Sequence, residues 1–128
     1  MLVEINQQQL SDFETLLQQG GLPATDIASA HWFSLVGWQD AGQLVGAGGI
    51  EQCGLQFLLR SVVVAESHRG RGIGNNIVME LQHRAMANGV GTLYLLTGTA
   101  TGFFSAKLGW QVMERDDAPG DIASSSQF

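Results

Sequence analysis

Leu55-Gln-Phe-Leu-Leu-Arg-Ser-Val-Val-Val64, then His68-Arg-Gly-Arg-Gly-Ile-Gly74, then Asn75-Asn-Ile-Val-Met-Glu-Leu-Gln-His-Arg-Ala-Met-Ala-Asn88 is the stretch that decides the fold. Its first part is apolar and β-branched and reads as a strand over residues 55–64, with Leu55, Phe57 and Leu59 on one side. The unbroken Val62-Val63-Val64 predicts burial on both faces at its far end. The last part places Ile73, Ile77, Leu81 and Ala85 on one stripe. That spacing predicts a helix over residues 72–88, closed by Asn88-Gly89. Between strand and helix lies a turn with three glycines and two arginines.

That placement carries chemistry. The first N–H groups of a helix have no internal partner and stand at the positive end of its dipole. Glycines let the backbone come close to a phosphate, and Arg69 and Arg71 add charge, so a diphosphate fits the turn. The spacing is not the dinucleotide fingerprint Gly-x-Gly-x-x-Gly. It is not a P-loop either, because the lysine is missing.

Outward from this centre, residues 92–97 read as a second buried strand. A strand, a helix and a strand in succession predict a parallel crossover. Before the centre, residues 1–5 read as a short strand. Ser11-Asp-Phe-Glu14 has the form of a capping box, followed by Phe13, Leu16 and Leu17 at helical spacing and stopped at Gly20-Gly21. Residues 24–30 are expected to form a second short helix. Residues 31–38 and 43–51 read as a hairpin around Asp40-Ala-Gly42. Gly46, Gly48 and Gly49 imply a bulge or a close backbone neighbour in its second strand. A short helix over residues 102–108 and a strand over residues 110–113 complete the pattern. The fold class is therefore α/β. Its central sheet is mixed, antiparallel at first and parallel across the strand–helix–strand unit, and helices flank it. Residues 1–128 form one domain.

Composition narrows the function. Charged residues are only 14% against 45% hydrophobic, as in a packed globular domain. The formal net charge of -6 leaves no broad basic face for nucleic acid or an anionic membrane. No apolar run approaches the roughly 18 residues that span a bilayer. One cysteine, Cys53, excludes an internal disulfide, gives no metal cluster and suits a reducing cytoplasm. Residues 1–20 hold Glu4, Asp12 and Glu14 and no basic cluster, unlike a secretory leader.

Arg69-Gly-Arg-Gly72-Ile-Gly74 resembles the acyl-CoA motif Arg/Gln-x-x-Gly-x-Gly/Ala of the GNAT N-acetyltransferases. Val62-Val63-Val64 is similar to the strand before that motif. Phe103-Phe-Ser-Ala-Lys-Leu-Gly109-Trp110 resembles the family's helix ending in Leu-Gly-aromatic. The three pieces stand in family order. Leu22-Pro-Ala-Thr-Asp-Ile27, Leu58-Leu-Arg-Ser61, Tyr94-Leu-Leu-Thr97 and Ala118-Pro also look like the acetyltransferases found with arsenic-resistance genes. That branch acetylates glutamate-like amino acids such as arsinothricin and phosphinothricin.

The resemblance implies an enzyme that moves acetyl from acetyl-CoA to a primary amine. It implies that backbone groups of Val62, Val63 and Val64 meet the pantetheine arm. The turn Arg69, Gly70, Arg71, Gly72, Ile73, Gly74 and Asn75 then holds the diphosphate. The family tyrosine that protonates the leaving thiolate falls here on Ser105, beside Phe104, so Ser105, water or solvent takes its place. Glu51 is the candidate base. Arg60 offers a planar fork for a substrate carboxylate or arsinate. Ser61, Thr97 and Phe104 are further substrate-side candidates. The family carries one more strand than is legible before Phe128, so a short, missing or partner-supplied strand is expected, and with it a homodimer. The competing readings are acetylation of a peptide or protein, a non-catalytic acyl-CoA-binding regulator, and a nucleotide sensor.

Overall fold

A computed structural model describes residues 1–95 of the chain. The expected strand over residues 110–113, the helix over residues 102–108, and Thr97, Phe104 and Ser105 lie outside the described residues.

The elements run β1 (Leu2–Glu4), a 3-10 turn (Gln7–Gln9), α1 (Leu10–Gln19), β2 (Trp32–Asp40), β3 (Gln43–Cys53), β4 (Gln56–Val64), α2 (Ile73–Ala87) and β5 (Tyr94–Leu95). The five strands lie side by side in sequence order. β1 to β4 are antiparallel, and β5 runs parallel to β4 through Leu58↔Tyr94 and Leu59↔Leu95. The mixed sheet expected from the sequence is therefore present.

Each face of the sheet has its own apolar cluster. On one face Ile73, Ile77, Val78, Leu81 and Ala85 of α2 pack on Val36, Val45, Ile50 and Leu59. On the other, Phe13, Leu16 and Leu17 of α1 meet Ala24, Ile27, Ala47 and Val63. The stripe read in residues 72–88 is the buried stripe of α2.

Three local expectations are corrected. The capping box forms one turn earlier than Ser11: Gln9 N donates to Asn6 Oδ1 at 3.1 Å and Asn6 N to Gln9 Oε1 at 3.2 Å. Both segments fit the pattern, and the 3-10 turn before α1 makes the earlier one the start. Residues 24–30 form successive turns instead of a helix, with Ile27 N bonded to Ala24 O and Ser29 N to Asp26 O. Burying Ala24 and Ile27 against α1 sets that path. Leu55 belongs to a two-residue turn, not to the strand. Gly54 at φ 60 allows it, Cys53 pairs with Gln56, and Leu55 is exposed.

β4 carries a bulge. Ala47 pairs with Val63 and Gly49 with Arg60, so Gly48 alone opposes both Ser61 and Val62. Ser61 sits at φ 63 to make this possible. The extra residue resets the alternation beyond it. Leu59, Val62 and Val64 thus all face the α2 cluster, while Val63 faces α1. The glycines of β3 lie opposite this bulge, and the close neighbours of Gly48 are side chains, not the backbone neighbour expected. A Cβ at Gly48 would stand 3.1 Å from Ile77 Cγ2 and 3.1 Å from Val62 Cγ2.

Candidate active site

The turn between β4 and α2 is built for close backbone approach. Gly70 and Gly72 both take φ 80, and open space lies where their Cβ atoms would be. Gly72 is the N-cap of α2, and no side chain caps the helix. Its first regular bond is Asn76 N to Gly72 O at 3.0 Å. The N–H groups of Ile73, Gly74 and Asn75 are thus left by helix geometry without an intrahelical acceptor. Asn75 Oδ1 is buried with no partner. An uncapped helix N-terminus beside open space fits a large anionic ligand.

The two arginines flank this turn. Arg69 Nε donates to Val64 O at 3.1 Å, and Arg71 Nη2 lies 3.4 Å from Ser67 O. Before the turn, His68 Nε2 donates to Asp40 Oδ2 at 2.8 Å, and His68 Nδ1 lies 2.8 Å from Ser67 Oγ. The His68 hydrogen bond holds the Asp40 carboxyl below its ordinary value, with the charges of His68, Arg71 and the N-terminus adding to it. This pair ties the β2–β3 hairpin to the entry of the turn. A cleft of about 360 Å³ opens beside it, between the end of α1 (Leu16, Gln19, Gly20) and Val64, Ala65, Glu66 and Arg69.

The backbone of β4 leads into that cleft. Ala65 N donates to Val45 O at 2.7 Å, so residue 65 points its peptide groups at β3. By the alternation of an antiparallel ladder, Val64 points its own groups to the opposite edge, where β5 pairs earlier in the strand.

A second cluster lies further back on β4, on the α1 face. Arg60 is only 3% exposed, although it carries a charge. Its Nη1 donates to Asp26 Oδ2 at 2.8 Å and to Glu51 Oε1 at 3.0 Å. Nη2 donates to Asp26 Oδ1 at 2.9 Å, and Nε to Ser61 Oγ at 3.0 Å. The guanidinium also lies 5.3 Å from the centroid of the Trp32 ring. Burial alone would push the Arg60 pKa down, but the hydrogen bonds to Asp26 and Glu51 outweigh it and leave it raised. Trp32 in turn donates from Nε1 to Ile27 O at 2.9 Å.

The sequence-derived candidates thus fall into two groups. Val62 to Asn75 gather at the end of β4 and the start of α2. Glu51 and Ser61 each bond to Arg60. One member went unread in the sequence: Asp26, which lies 34 positions from its partner and so leaves no local pattern. Trp32 packs against Phe13, and it also underlies Arg60. Among the described residues no group of His, Cys, Asp and Glu is arranged to hold a metal ion. No described helix is long and apolar enough to cross a membrane.

No curated protein matches the chain. Solved structures do. An acetyltransferase of the GNAT family from Staphylococcus aureus superposes with TM-score 0.79 at 15% identity, over 95% of this chain and 90% of its own. A Mycobacterium tuberculosis protein solved in complex with CoA gives 0.78 at 17% identity, over 95% and 78%. Glucosamine-6-phosphate N-acetyltransferase from Arabidopsis thaliana gives 0.68 at 16% identity, over 89% and 92%. At these identities the likeness is one of fold. The family itself is set by sequence: residues 3–110 match the model of the Acetyltransferase (GNAT) family, a span that runs from within β1 past β5 and includes the glycine turn, and the chain belongs to that family.

Proposed function

We propose that this acetyltransferase uses acetyl-CoA to acetylate the primary amine of a small, amino-acid-like acceptor of the arsinothricin or phosphinothricin type. The observation that carries the cofactor half is the pair of left-handed glycines, Gly70 and Gly72, opening an uncapped helix N-terminus onto free space. The CoA complex of the similarly folded Mycobacterium tuberculosis protein supports it. The acceptor half rests on the resemblance of Leu58-Leu-Arg-Ser61 and Leu22-Pro-Ala-Thr-Asp-Ile27 to the arsenic-associated branch.

Acetyl-CoA supplies an acyl group already activated as a thioester. The chain's own work is binding, orientation and proton transfer. N–H groups of residues 70–75 bind the diphosphate, with Arg69 and Arg71 beside it. The outward peptide groups of Val62 and Val64 align the pantetheine arm as an added strand would. The attacking nitrogen must lose a proton as the C–N bond forms and the C–S bond breaks, and we assign Glu51 to receive it. The thiolate takes up a proton from Ser105 or from solvent. We further propose that the enzyme works in the cytoplasm as a homodimer. Light scattering that shows only monomer would remove the dimer.

The test is calorimetric titration of acetyl-CoA into the wild type and into Gly72→Trp, whose indole would fill the space before the helix. Binding by the wild type and its loss in the variant support the cofactor site. A thiol-release assay with phosphinothricin, L-glutamate and a basic peptide then identifies the acceptor class. A well-folded wild type that binds no acetyl-CoA overturns the cofactor half. Turnover of the peptide alone overturns the acceptor half.

A further inference from the structure

Arg60 joins three segments far apart in sequence. Asp26 comes from the turns after α1, Glu51 from the end of β3, and Ser61 from the bulge of β4. Its side chain is nearly sealed from solvent, whereas those of Asp26 and Glu51 are 25% and 13% exposed. The two carboxylates therefore reach toward solvent while the cation stays behind them. A buried guanidinium bonded in this way can meet an anionic ligand only by giving up bonds it already makes in a desolvated place. Its geometry suits a clamp better than a ligand-binding fork.

What the clamp holds is functionally placed. Residues 20–31 form the longest described stretch outside helix and strand, and they border the α1 face of the sheet. Two side-chain links fix this segment to the sheet: Arg60 to Asp26, and Trp32 Nε1 to Ile27 O. Both involve the same stack, because the Arg60 guanidinium lies over the Trp32 ring. At its other end Arg60 bonds Ser61, the residue whose φ of 63 makes the bulge that leads into Val62 to Val64. One side chain thus connects the segment after α1 to the strand edge proposed for the pantetheine arm.

We infer that Arg60 is a positioning residue of the acetyl transfer: it locks residues 24–31 and the Glu51 carboxylate onto the β4 bulge, and it does not itself bind the acceptor. The inference rests on the acetyltransferase reading above for its acceptor side. It follows that Asp26 matters as much as Arg60 and that the two act as one unit. Arg60→Lys keeps the charge but loses the fork that serves Asp26, Glu51 and Ser61 together.

The experiment compares wild type, Arg60→Lys, Asp26→Asn and the double variant. Acetyl-CoA affinity is read by calorimetry, and kcat and KM are read with whichever amine of the panel the wild type turns over fastest. Amide hydrogen exchange over residues 24–31 is measured without ligand. The expected result is faster exchange in residues 24–31 in both single variants. Acetyl-CoA affinity stays within about twofold, and kcat/KM for the amine falls roughly 10–100-fold, the scale of a misplaced reacting group. The double variant is no worse than either single one. A fork that binds the acceptor directly gives the opposite pattern: Asp26→Asn leaves KM for amino-acid amines unchanged or lower, and only Arg60→Lys abolishes the advantage of amino acids over simple alkylamines. That pattern overturns the inference. So does unchanged exchange in residues 24–31, which is decided even in a chain that shows no turnover. A wild type that binds no acetyl-CoA sinks the proposed function separately.

Discussion

A methyl group at Gly49 of β3 would stand 2.5 Å from Cζ3 of Trp32, the ring that underlies Arg60. The same methyl would meet Leu35 Cδ2 at 2.7 Å. The glycine is therefore what allows the indole to lie flat against β3. Gly49→Ala is expected to cost about 1–3 kcal/mol by overpacking. The change should appear in the near-ultraviolet dichroism of Trp32 as well as in a urea melt. An unchanged melt would show that the indole moves aside freely.

The glycines of the turn have separable roles. Gly72 holds φ 80 with nothing near its would-be Cβ, so Gly72→Ala meets no clash but takes a left-handed conformation at about 1–2 kcal/mol. Relief of that strain would move the N–H groups of residues 73–75, so acetyl-CoA affinity should fall with stability. Gly74 differs, because it lies inside α2 and its would-be Cβ stands 3.5 Å from Val64 Cγ2 of β4, an ordinary contact. Gly74→Ala is expected to stabilise by up to about 1 kcal/mol and to keep acetyl-CoA binding. Thermal melts and calorimetry on the two variants check the contrast.

What the sequence made legible was periodic or local. The stripe Ile73, Ile77, Leu81, Ala85 and the glycines before it each declare themselves within one element, and both lie inside the span of the family match. What stayed hidden was long-range or singular. Asp26 and Arg60 meet only because α1 and the turns after it fold back across the sheet. Ser61 bears a positive φ that nothing about a serine announces. Residues 24–30 hold enough helix formers to read as a helix, yet only Ala30 N to Asp26 O spans four residues there. The burial of Ile27 decides their path, and burial is a property of the whole fold.

The β2–β3 hairpin carries a correctable strain. Asp40 pairs with Gln43, and the two residues between them, Ala41 at φ 51 and Gly42 at φ 79, form a primed turn. A left-handed alanine costs roughly 1 kcal/mol that glycine does not. Ala41→Gly is therefore expected to raise stability by several tenths of a kcal/mol, after the extra freedom of the unfolded glycine is counted. A chemical melt of the variant measures it, and a lower midpoint would mean that the Ala41 methyl has a contact worth more than the strain.

The Asp40–His68 bond gives stability near the glycine turn a pH dependence whose sign is fixed. Asp40 is held below its ordinary value of 3.8, first by the hydrogen bond from His68 and then by the charges of His68, Arg71 and the N-terminus. A carboxyl whose folded pKa is depressed contributes stability that is fully present above the unfolded value. That contribution is lost as pH falls from 3.8 through the lower folded pKa. The pair is exposed, so the effect is small and screened by salt. Comparison of the wild type with a single variant isolates the contribution of this pair. In His68→Gln the Asp40 midpoint, followed by carboxyl carbon shifts, should move up toward 3.8, and the variant should lose less stability than the wild type on acidification. A midpoint that stays where it was would assign the depression to Arg71 and the N-terminus, and would leave His68 without a hold on the hairpin.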